Sequence, residues 1–385
     1  MRFRWWFISM GITVGIVLAS MIYLGNFLCV PVENNSCISF LGGTETMIQT
    51  SSKHGLALSS DNGSSFASVN PITNRIYVAN WNHNTVSVID GNTNTKIASI
   101  QVDMIPVKLA INPNTNRIYV TEHRFANDIE ENSTVAVIDG NTNEKIVDIP
   151  VGAYSQVAVN PNTNRIYITE HHLVNNVEEN NIEQNGTVSV IDGNTNTKIA
   201  SIQVGTNPAG IAVNANTNRI YVLHRNNFNN IDHTWQNGTV SVIDGNTNTK
   251  IASIQVGAQP LGIAVNANTN RIYVTNYHDG TISVIDGINN KIIRIIKLDP
   301  GVEGIAINPL TNKIYAANGL DTTLYVIDGD TGSKKSEIRV SGWSVAVNPS
   351  TNRIFVPDYF FNNLSVIDGK YDDIMTVIQI GVYPN

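Results

Sequence analysis

Imidazole and carboxylate groups are concentrated in three segments of this chain: "TEHRFANDIEENST" from Thr121, "TEHHLVNNVEENNIEQNGT" from Thr169 and "LHRNNFNNIDHTWQNGT" from Leu223. Of the eight histidines, His83, His123, His171, His172, His224, His233 and His278 fall in these or in the corresponding shorter segments, and His54 does not. Neutral imidazole suits copper or zinc, so His123, His171, His172, His224 and His278 are the candidate metal ligands if the segments converge. Oxygen ligands for calcium are also present, at Asp128, Glu130, Glu131, Glu178, Glu179, Glu183 and Asp232, although no 12-residue calcium-loop pattern occurs. Glu122, Arg124, Glu170, Arg225, His233 and Trp235 are the candidate contacts for a larger partner. The competing reading is a set of solvated polar connections copied by duplication, which carries any residue to matching offsets without a purpose. We expect that second reading to hold, and therefore no bound cofactor.

Covalent catalysis has little to work with. There is no G-x-S-x-G, H-E-x-x-H, G-x-x-x-x-G-K-S/T or G-x-G-x-x-G, and no cysteine after Cys37. Ser, His and Asp all occur, but a triad is a geometry and not a composition. The expectation leans away from an enzyme.

The elements that must position these residues come from a repeat. "NPNTNRIYV" at Asn112 returns in variants at Asn70, Asn160, Asn214, Asn266, Asn308 and Asn348, and each copy is followed by a "VSVIDG" variant whose aspartates are Asp90, Asp139, Asp192, Asp244, Asp286, Asp328 and Asp368. Each unit reads as four short strands, A to D, exemplified by "LGIAVN", "RIYVTN", "TISVIDG" and "KIIRIIKL" in the fifth unit. Pro, Gly and Asn at the A–B and C–D junctions supply preset or positive φ and side-chain caps, so both junctions fold back as hairpins. Four antiparallel strands in a unit of this length is the period of a propeller blade. The expected fold is all-β, a seven-bladed β-propeller over residues 64–385; an open solenoid would ask for distinct end caps, which are not visible. The position two before each repeat Asn is small (Ser68, Ala110, Ala158, Ala212, Ala264, Ala306, Ala346), as crowding near an axis demands. The first unit begins at strand A and the last ends with a full strand D, so closure rests on side-by-side packing or on an added strand from "TETMIQTSS".

Alternating strand direction puts the A–B and C–D turns on one face and the B–C connections on the other. The first face is constant in wording; the second varies, with the long insertions in units two to four. Loops that vary on a repeated scaffold carry function more often than the scaffold does. On the constant face, the series Arg75, Arg117, Arg165, Arg219, Arg271, Lys313 and Arg353 is expected to pair with the VIDG aspartates across strands B and C.

"NRIYVTN" from Asn270 to Asn276, with its six variants, resembles the YVTN-type repeat of archaeal and bacterial surface-layer and exported propeller proteins, over roughly Ser64 to Asn385. The resemblance implies an extracytoplasmic propeller displayed at the cell surface, and it implies little about activity. Sugar lactonases use propellers of this general type, with polar groups converging at one mouth of the channel, and Lys108, Gln156 and Glu303 on inner strands keep that alternative open.

The N-terminus is of a different character. After Arg2 and Arg4 an uncharged run extends from Trp5 to Val30, long enough to cross a bilayer as a helix, with the positive end inside. Residues 1–30 are read as a single-pass anchor, a cleaved signal being the alternative, and residues 31–63 as an extracytoplasmic linker. Formal charge is -7 and charged residues are 14% of the chain, which leaves no electrostatic footprint for nucleic acid. The expected partners are a protein or glycan of the cell envelope, and the membrane through the N-terminal helix. The expected function is a non-enzymatic binding scaffold; an exported Cu/Zn-binding or lactonase-like propeller is the alternative.

Overall fold

The computed structural model describes residues 66–380, apart from 127–128, 131–132, 174–183, 226–227, 230–233 and 359–360, together with three short strands within residues 23–40. The chain divides into two units, Met1–Asn62 and Gly63–Asn385. In the first, Tyr23–Leu24, Phe27–Val32 and Ser36–Phe40 form an antiparallel sheet. The remainder of the apolar run from Trp5 lies outside the described residues, as does "TETMIQTSS". No helix among the described residues is long and apolar enough to cross a membrane.

In the second unit every repeat is one four-stranded antiparallel sheet with strands in sequence order. Blade 1 comprises Ala67–Asn70, Arg75–Asn80, Thr85–Asp90 and Thr95–Gln101. Blade 2 comprises Ile105–Asn112, Arg117–His123, Ser133–Asp139 and Glu144–Val151; blade 3, Ala153–Asn160, Arg165–Leu173, Gln184–Asp192 and Thr197–Thr206. Blade 4 is Pro208–Asn214, Arg219–His224, Asn237–Asp244 and Thr249–Ala258; blade 5, Pro260–Asn266, Arg271–Asn276, Thr281–Asp286 and Lys291–Lys297. Blade 6 is Val302–Asn308, Lys313–Asn318, Thr323–Asp328 and Lys334–Arg339; blade 7, Ala346–Asn348, Arg353–Asp358, Asn363–Asp368 and Asp373–Gln379. The insertions of blades 2 and 4 carry small hairpins, Phe125–Ala126 with Ile129–Glu130 and Phe228–Asn229 with Thr234–Trp235.

The apolar core lies between successive blades. Tyr77, Val88 and Ile100 of blade 1 pack against Ile118, Val120 and Ile138 of blade 2, and the pattern continues round to Phe355, Val366 and Ile378 of blade 7 against Ile76, Val78 and Ile89 of blade 1. The seven sheets therefore close into a ring. Strand B supplies a fully buried aromatic in each blade, Tyr77, Tyr119, Tyr167, Tyr221, Tyr273, Tyr315 and Phe355. The six phenol hydroxyls make no hydrogen bond among the described residues, which explains why phenylalanine serves equally well in the seventh.

Polar side chains on the constant face explain the wording of the repeat. Asn70 Oδ1 accepts the N–H of Ile72 at 3.0 Å, capping its own turn, while Asn70 Nδ2 donates to Asn116 Oδ1 of the next blade at 2.7 Å. The same clasp joins Asn112 to Asn164, Asn160 to Asn218 and Asn214 to Asn270 at 2.7 Å, and Asn266 to Asn312 and Asn308 to Asn352 at 2.8 Å. Asn348 to Asn74, at 2.6 Å, completes the circle across the chain ends. The accepting asparagines sit at positive φ, 51° at Asn116, a conformation Asn tolerates better than most residues. Each also lies against the glycine of VIDG: a Cβ on Gly140 would be 2.5 Å from Asn116 Oδ1, so only glycine fits.

The arginines differ from expectation. Arg117 donates to the carbonyl of Gly193 at 2.7 Å and Arg165 to that of Gly245 at 2.8 Å, each on the following blade, and Arg353 reaches Gly91 across the seam. The VIDG aspartates instead cap their own C–D turns, as Asp192 does by accepting the N–H groups of Asn194 and Thr195 at 2.8 and 3.2 Å. Those backbone donors hold the carboxyls of Asp90 and Asp192 below the usual range, and at Asp328 the N–H and hydroxyl of Thr331 hold it down to about 2. A guanidinium spanning two blades satisfies a carbonyl that water would otherwise solvate, whereas an exposed pair within a blade would contribute little.

The outer strands are blunted. Ile89 pairs with Lys96 and Val88 with Ala98, leaving Ile97 as an extra residue, and the same bulge recurs at Ile146, Ile199, Ile251, Ile293, Lys335 and Met375. Bulges of this kind discourage edge-to-edge pairing.

Asn214→Ala should lower the unfolding free energy by about 1–2 kcal/mol, because it removes the cap of its own turn and the clasp to the half-buried Asn270 amide. Gly245→Ala should destabilise further, its Cβ meeting Asn218 Oδ1 at 2.5 Å and the Asn218 carbonyl at 2.7 Å. Tyr221→Phe is the control and should change stability by less than about 1 kcal/mol. Urea denaturation measures all three, and equal effects from Asn214→Ala and Tyr221→Phe would contradict the account.

Candidate functional site

Four of the five sequence-predicted metal-ligand histidines, His123, His171, His172 and His224, lie at the end of strand B, and His278 stays on the B–C turn. His123 is the last residue of its strand and buried, with Nε2 3.1 Å from the Ser155 carbonyl of blade 3. His171 has Nε2 2.8 Å from the Pro208 carbonyl of blade 4, and its ring lies 5.4 Å from that of Tyr154. His172 is in the same strand, paired with Asn185. His224 is buried, with Nδ1 2.8 Å from the Thr206 carbonyl and Nε2 2.8 Å from Ser241 Oγ. His278 is exposed on a turn of blade 5, its ring 6.2 Å from that of Trp235. Arg124 is exposed, Arg225 is half-buried, and His233 lies outside the described residues with Asp128, Glu131, Glu178, Glu179, Glu183 and Asp232. No three His, Cys, Asp or Glu side chains converge on a common point among the described residues. His123 and His171 each face a carbonyl at the start of strand A of the following blade, Ser155 and Pro208.

The equivalences also shift by one residue. His224 corresponds to Glu122 and Glu170, and all three occupy a ring position that Asn80, Asn276, Asn318 and Asp358 fill in the other blades; all seven are buried. Asn276 shows the common role, donating to Thr281 and Ser283 hydroxyls at 2.9 Å and accepting the Gly257 N–H at 3.0 Å. Glu122 accepts from Thr134 Oγ1 at 2.9 Å and from the Asp103 N–H at 3.3 Å; Glu170 accepts from Ser189 Oγ at 2.6 Å, with Lys198 Nζ 3.5 Å away. The His224–Ser241 pair belongs to the same ring. Both residues are buried between blades.

Charge is costly at this depth. Burial pushes the Glu122 carboxyl up to about 7, only partly opposed by the Thr134 hydrogen bond, and burial takes the His224 imidazole down to about 4.

The open site is at the axis. Strand A enters the ring from the variable face, and in five blades its ladder is interrupted there. Pro106 pairs with Glu122 and Lys108 with Thr121, skipping Val107; Ala209, Leu261 and Glu303 are skipped in the same way, and Tyr154 with Ser155 in blade 3. Bulges re-aim side chains. Here they surround a cavity of about 190 Å³ to which all seven blades contribute. Its polar lining is Lys108, Gln156, Glu303 and Ser344, and Lys108 Nζ lies 2.9 Å from the centre of the Phe66 ring. The threonine of the strand B wording supports the distortion: Thr121, Thr169 and Thr275 hydroxyls accept the N–H groups of Lys108, Gln156 and Gly262 at 3.0, 2.9 and 2.8 Å. Tyr277 is close enough that burial and then the Glu303 charge raise its phenol. Lys108, Gln156 and Glu303 were visible in the sequence as polar residues on inner strands. Phe66 and Ser344 carried no signal, since neither lies within a strand.

The model of the family "Lactonase, 7-bladed beta-propeller" matches residues 183–294, from the end of the blade 3 insertion into strand D of blade 5. The chain is similar in structure to Kuenenia stuttgartiensis hydrazine synthase, with TM-score 0.66 and 15% identity, covering 80% of this chain and 95% of that one. At that identity the likeness concerns fold. No curated protein matches the chain. The likeness to the YVTN-type repeat remains one of wording.

A carboxyl that ionises near 4.5 unfolded and near 7 folded keeps its proton longer in the native state, so its contribution is complete below about 4.5 and lost as pH rises through about 7. His224 acts in reverse: its contribution is complete above 6.5 and lost as pH falls through about 4. Glu122→Gln should therefore melt a few degrees above the unaltered protein at pH 8, with the gap closing toward pH 5. Circular-dichroism melts across that range measure it, and a gap independent of pH would contradict the assignment.

Proposed function

We propose that the protein is an extracytoplasmic, non-enzymatic binding propeller that works through its variable face. The observation that carries this reading is the polarity of the disc. One rim is occupied by a closed circle of asparagine and arginine contacts, while the B–C ends of the strands and the starts of the A strands, whose bulged residues line the axial cavity, lie toward the other. The connections of blades 2 to 4 would contact a protein or glycan of the cell envelope, with Arg124, Arg225, His233 and Trp235 in the contact. Glu122, Glu170 and His224 would hold the ends of those connections in place. The uncharged run from Trp5 to Val30 supports an anchor that keeps the propeller outside the membrane.

The match over residues 183–294 favours a second reading, hydrolysis of a lactone at the axial cavity. Glu303 would then serve as the base that activates water, with Lys108 and Gln156 facing the developing oxyanion.

Two measurements separate the readings. In the unit Gly63–Asn385 alone, which lacks the anchor, shortening the blade 2 and blade 3 connections to the length of that in blade 5 should abolish sedimentation with isolated cell envelopes and leave the melting temperature unchanged. A pH-stat assay with γ- and δ-lactones should show no turnover. Lactone turnover abolished by Glu303→Gln would overturn the first reading in favour of the second.

A further inference from the structure

We propose that two copies of this chain dock on each other through the constant face, using the turns of blades 5, 6, 7 and 1. This goes beyond the envelope-contact reading and does not depend on it, since the B–C connections stay free on the opposite face.

Comparison of the repeat with itself locates the surface. At the third position of the A–B turn, Asn114, Asn162, Asn216 and Asn268 donate Nδ2 to a turn carbonyl of the following blade at 3.0, 2.9, 3.1 and 3.0 Å. Blade 1 has Ile72 there and blade 6 has Leu310, which donate nothing. At the third position of the C–D turn, Asn92, Asn141, Asn194 and Asn246 accept from Asn74, Asn116, Asn164 and Asn218 at 2.9, 2.9, 3.0 and 2.9 Å. Blade 5 has Ile288 there and blade 7 has Lys370, which accept nothing. Each exchange gives up a hydrogen bond that its sister blades make.

The same exchanges expose apolar surface. Ile288, Leu310, Ile72 and Tyr371 are 74, 70, 67 and 64% exposed, more than any other large apolar residue among those described. Apolar residues scattered singly over a surface are ordinary, but these four share one face and fall in four successive blades, and the turns of blades 2 to 4 have no counterpart. The turns are also held in place: Arg294 of blade 5 donates to the Asp330 carbonyl, and Lys313 of blade 6 to the Gly369 carbonyl, both at 2.8 Å. A surface ordered before contact loses little freedom on docking.

The charges identify the occupant. Asp330 of blade 6 and Lys370 of blade 7 hold the same C–D turn position on adjacent blades, and both are exposed. Each is positioned by a neighbour, Asp330 Oδ1 by Asn312 Nδ2 at 2.9 Å and Lys370 Nζ by the Tyr371 hydroxyl at 2.8 Å. A two-fold axis running between these blades sets Asp330 of one protomer opposite Lys370 of its partner, and the reverse. The same rotation lays blade 5 against blade 1 of the partner, so Ile288 and Ile72 flank the paired charges on both sides. Such a patch is complementary to itself, whereas a lipid surface asks for no ordered pair of signs. Contacts this small stand at the low end of specific interfaces, about 1,200 Å² in total, so the dimer should dissociate in the micromolar range.

Sedimentation equilibrium of the unit Gly63–Asn385, within which the ring closes, should show a monomer and dimer exchanging in that range. Ile72→Asn with Leu310→Asn, which restores the wording of the sister blades, should raise the dissociation constant at least about tenfold without lowering the melting temperature. Asp330→Lys and Lys370→Asp should each weaken the dimer, and the two together should restore it, because opposite signs again meet across the axis. Each charge reversal installs the residue that the adjacent blade carries at that position, so the turn accommodates it. A monomer at concentrations approaching millimolar, a dimer indifferent to Ile72→Asn with Leu310→Asn, or charge reversals that add and do not compensate would overturn the proposal. None of these results bears on sedimentation with envelopes, which tests the opposite face.

Discussion

A side-chain amide that donates and accepts at once is the constraint on which this propeller depends. The first asparagine of each repeat caps its own turn through Oδ1 and clasps the next blade through Nδ2, and the receiving asparagine is held at positive φ against a glycine. Neither aspartate nor serine offers donor and acceptor on one short planar group. Seven such links form a closed circle, and the last crosses from Asn348 to Asn74, joining two sheets that, among the described residues, each draw their four strands from one repeat. Closure is strengthened there by Ser87 and Lys96, which donate to the Ile380 carbonyl at 2.9 and 2.7 Å, and by the shared core of blades 1 and 7. The circle takes fourteen asparagines, two from each blade.

Because the constant rim and the inter-blade core are specified by the repeated words, the opposite end is free to diverge. It does so at two radii. Around the axis, bulges of strand A turn individual residues into the cavity, and between the blades the buried polar ring changes from asparagine to Glu122, Glu170 and His224 in the three blades with long connections. Those three residues still meet the demand that asparagine meets elsewhere, since each is hydrogen-bonded within its own blade or to the linker beside it. The shifted groups of Glu122 and His224 make the stability of this end sensitive to pH.

The strands, the blade count and the contrast between faces were legible in the sequence because each depends on short-range pattern: alternation, turn residues and period. The partners of Arg117 and Arg165 were not legible, since Gly193 and Gly245 lie far along the chain and only ring closure brings them near. Histidine placement failed for a related reason. Strand B runs one to several residues past the repeated words in blades 2 and 3, so His123 and His171 join the ladder and are buried or paired where a loop was expected. The axial site was half visible: Lys108, Gln156 and Glu303 stood out by type, whereas the bulge that turns Glu303 inward is a matter of register between strands and leaves no mark on composition.

Hydrogen–deuterium exchange across the seven B strands tests closure most directly. If the amide circle is complete, Arg75–Asn80 and Arg353–Asp358 at the chain ends should be protected to the same degree as Arg219–His224 in the middle of the repeat. Exchange in the two terminal blades faster by orders of magnitude than in blade 4 would mean an open ring, and the account built on its closure would be wrong.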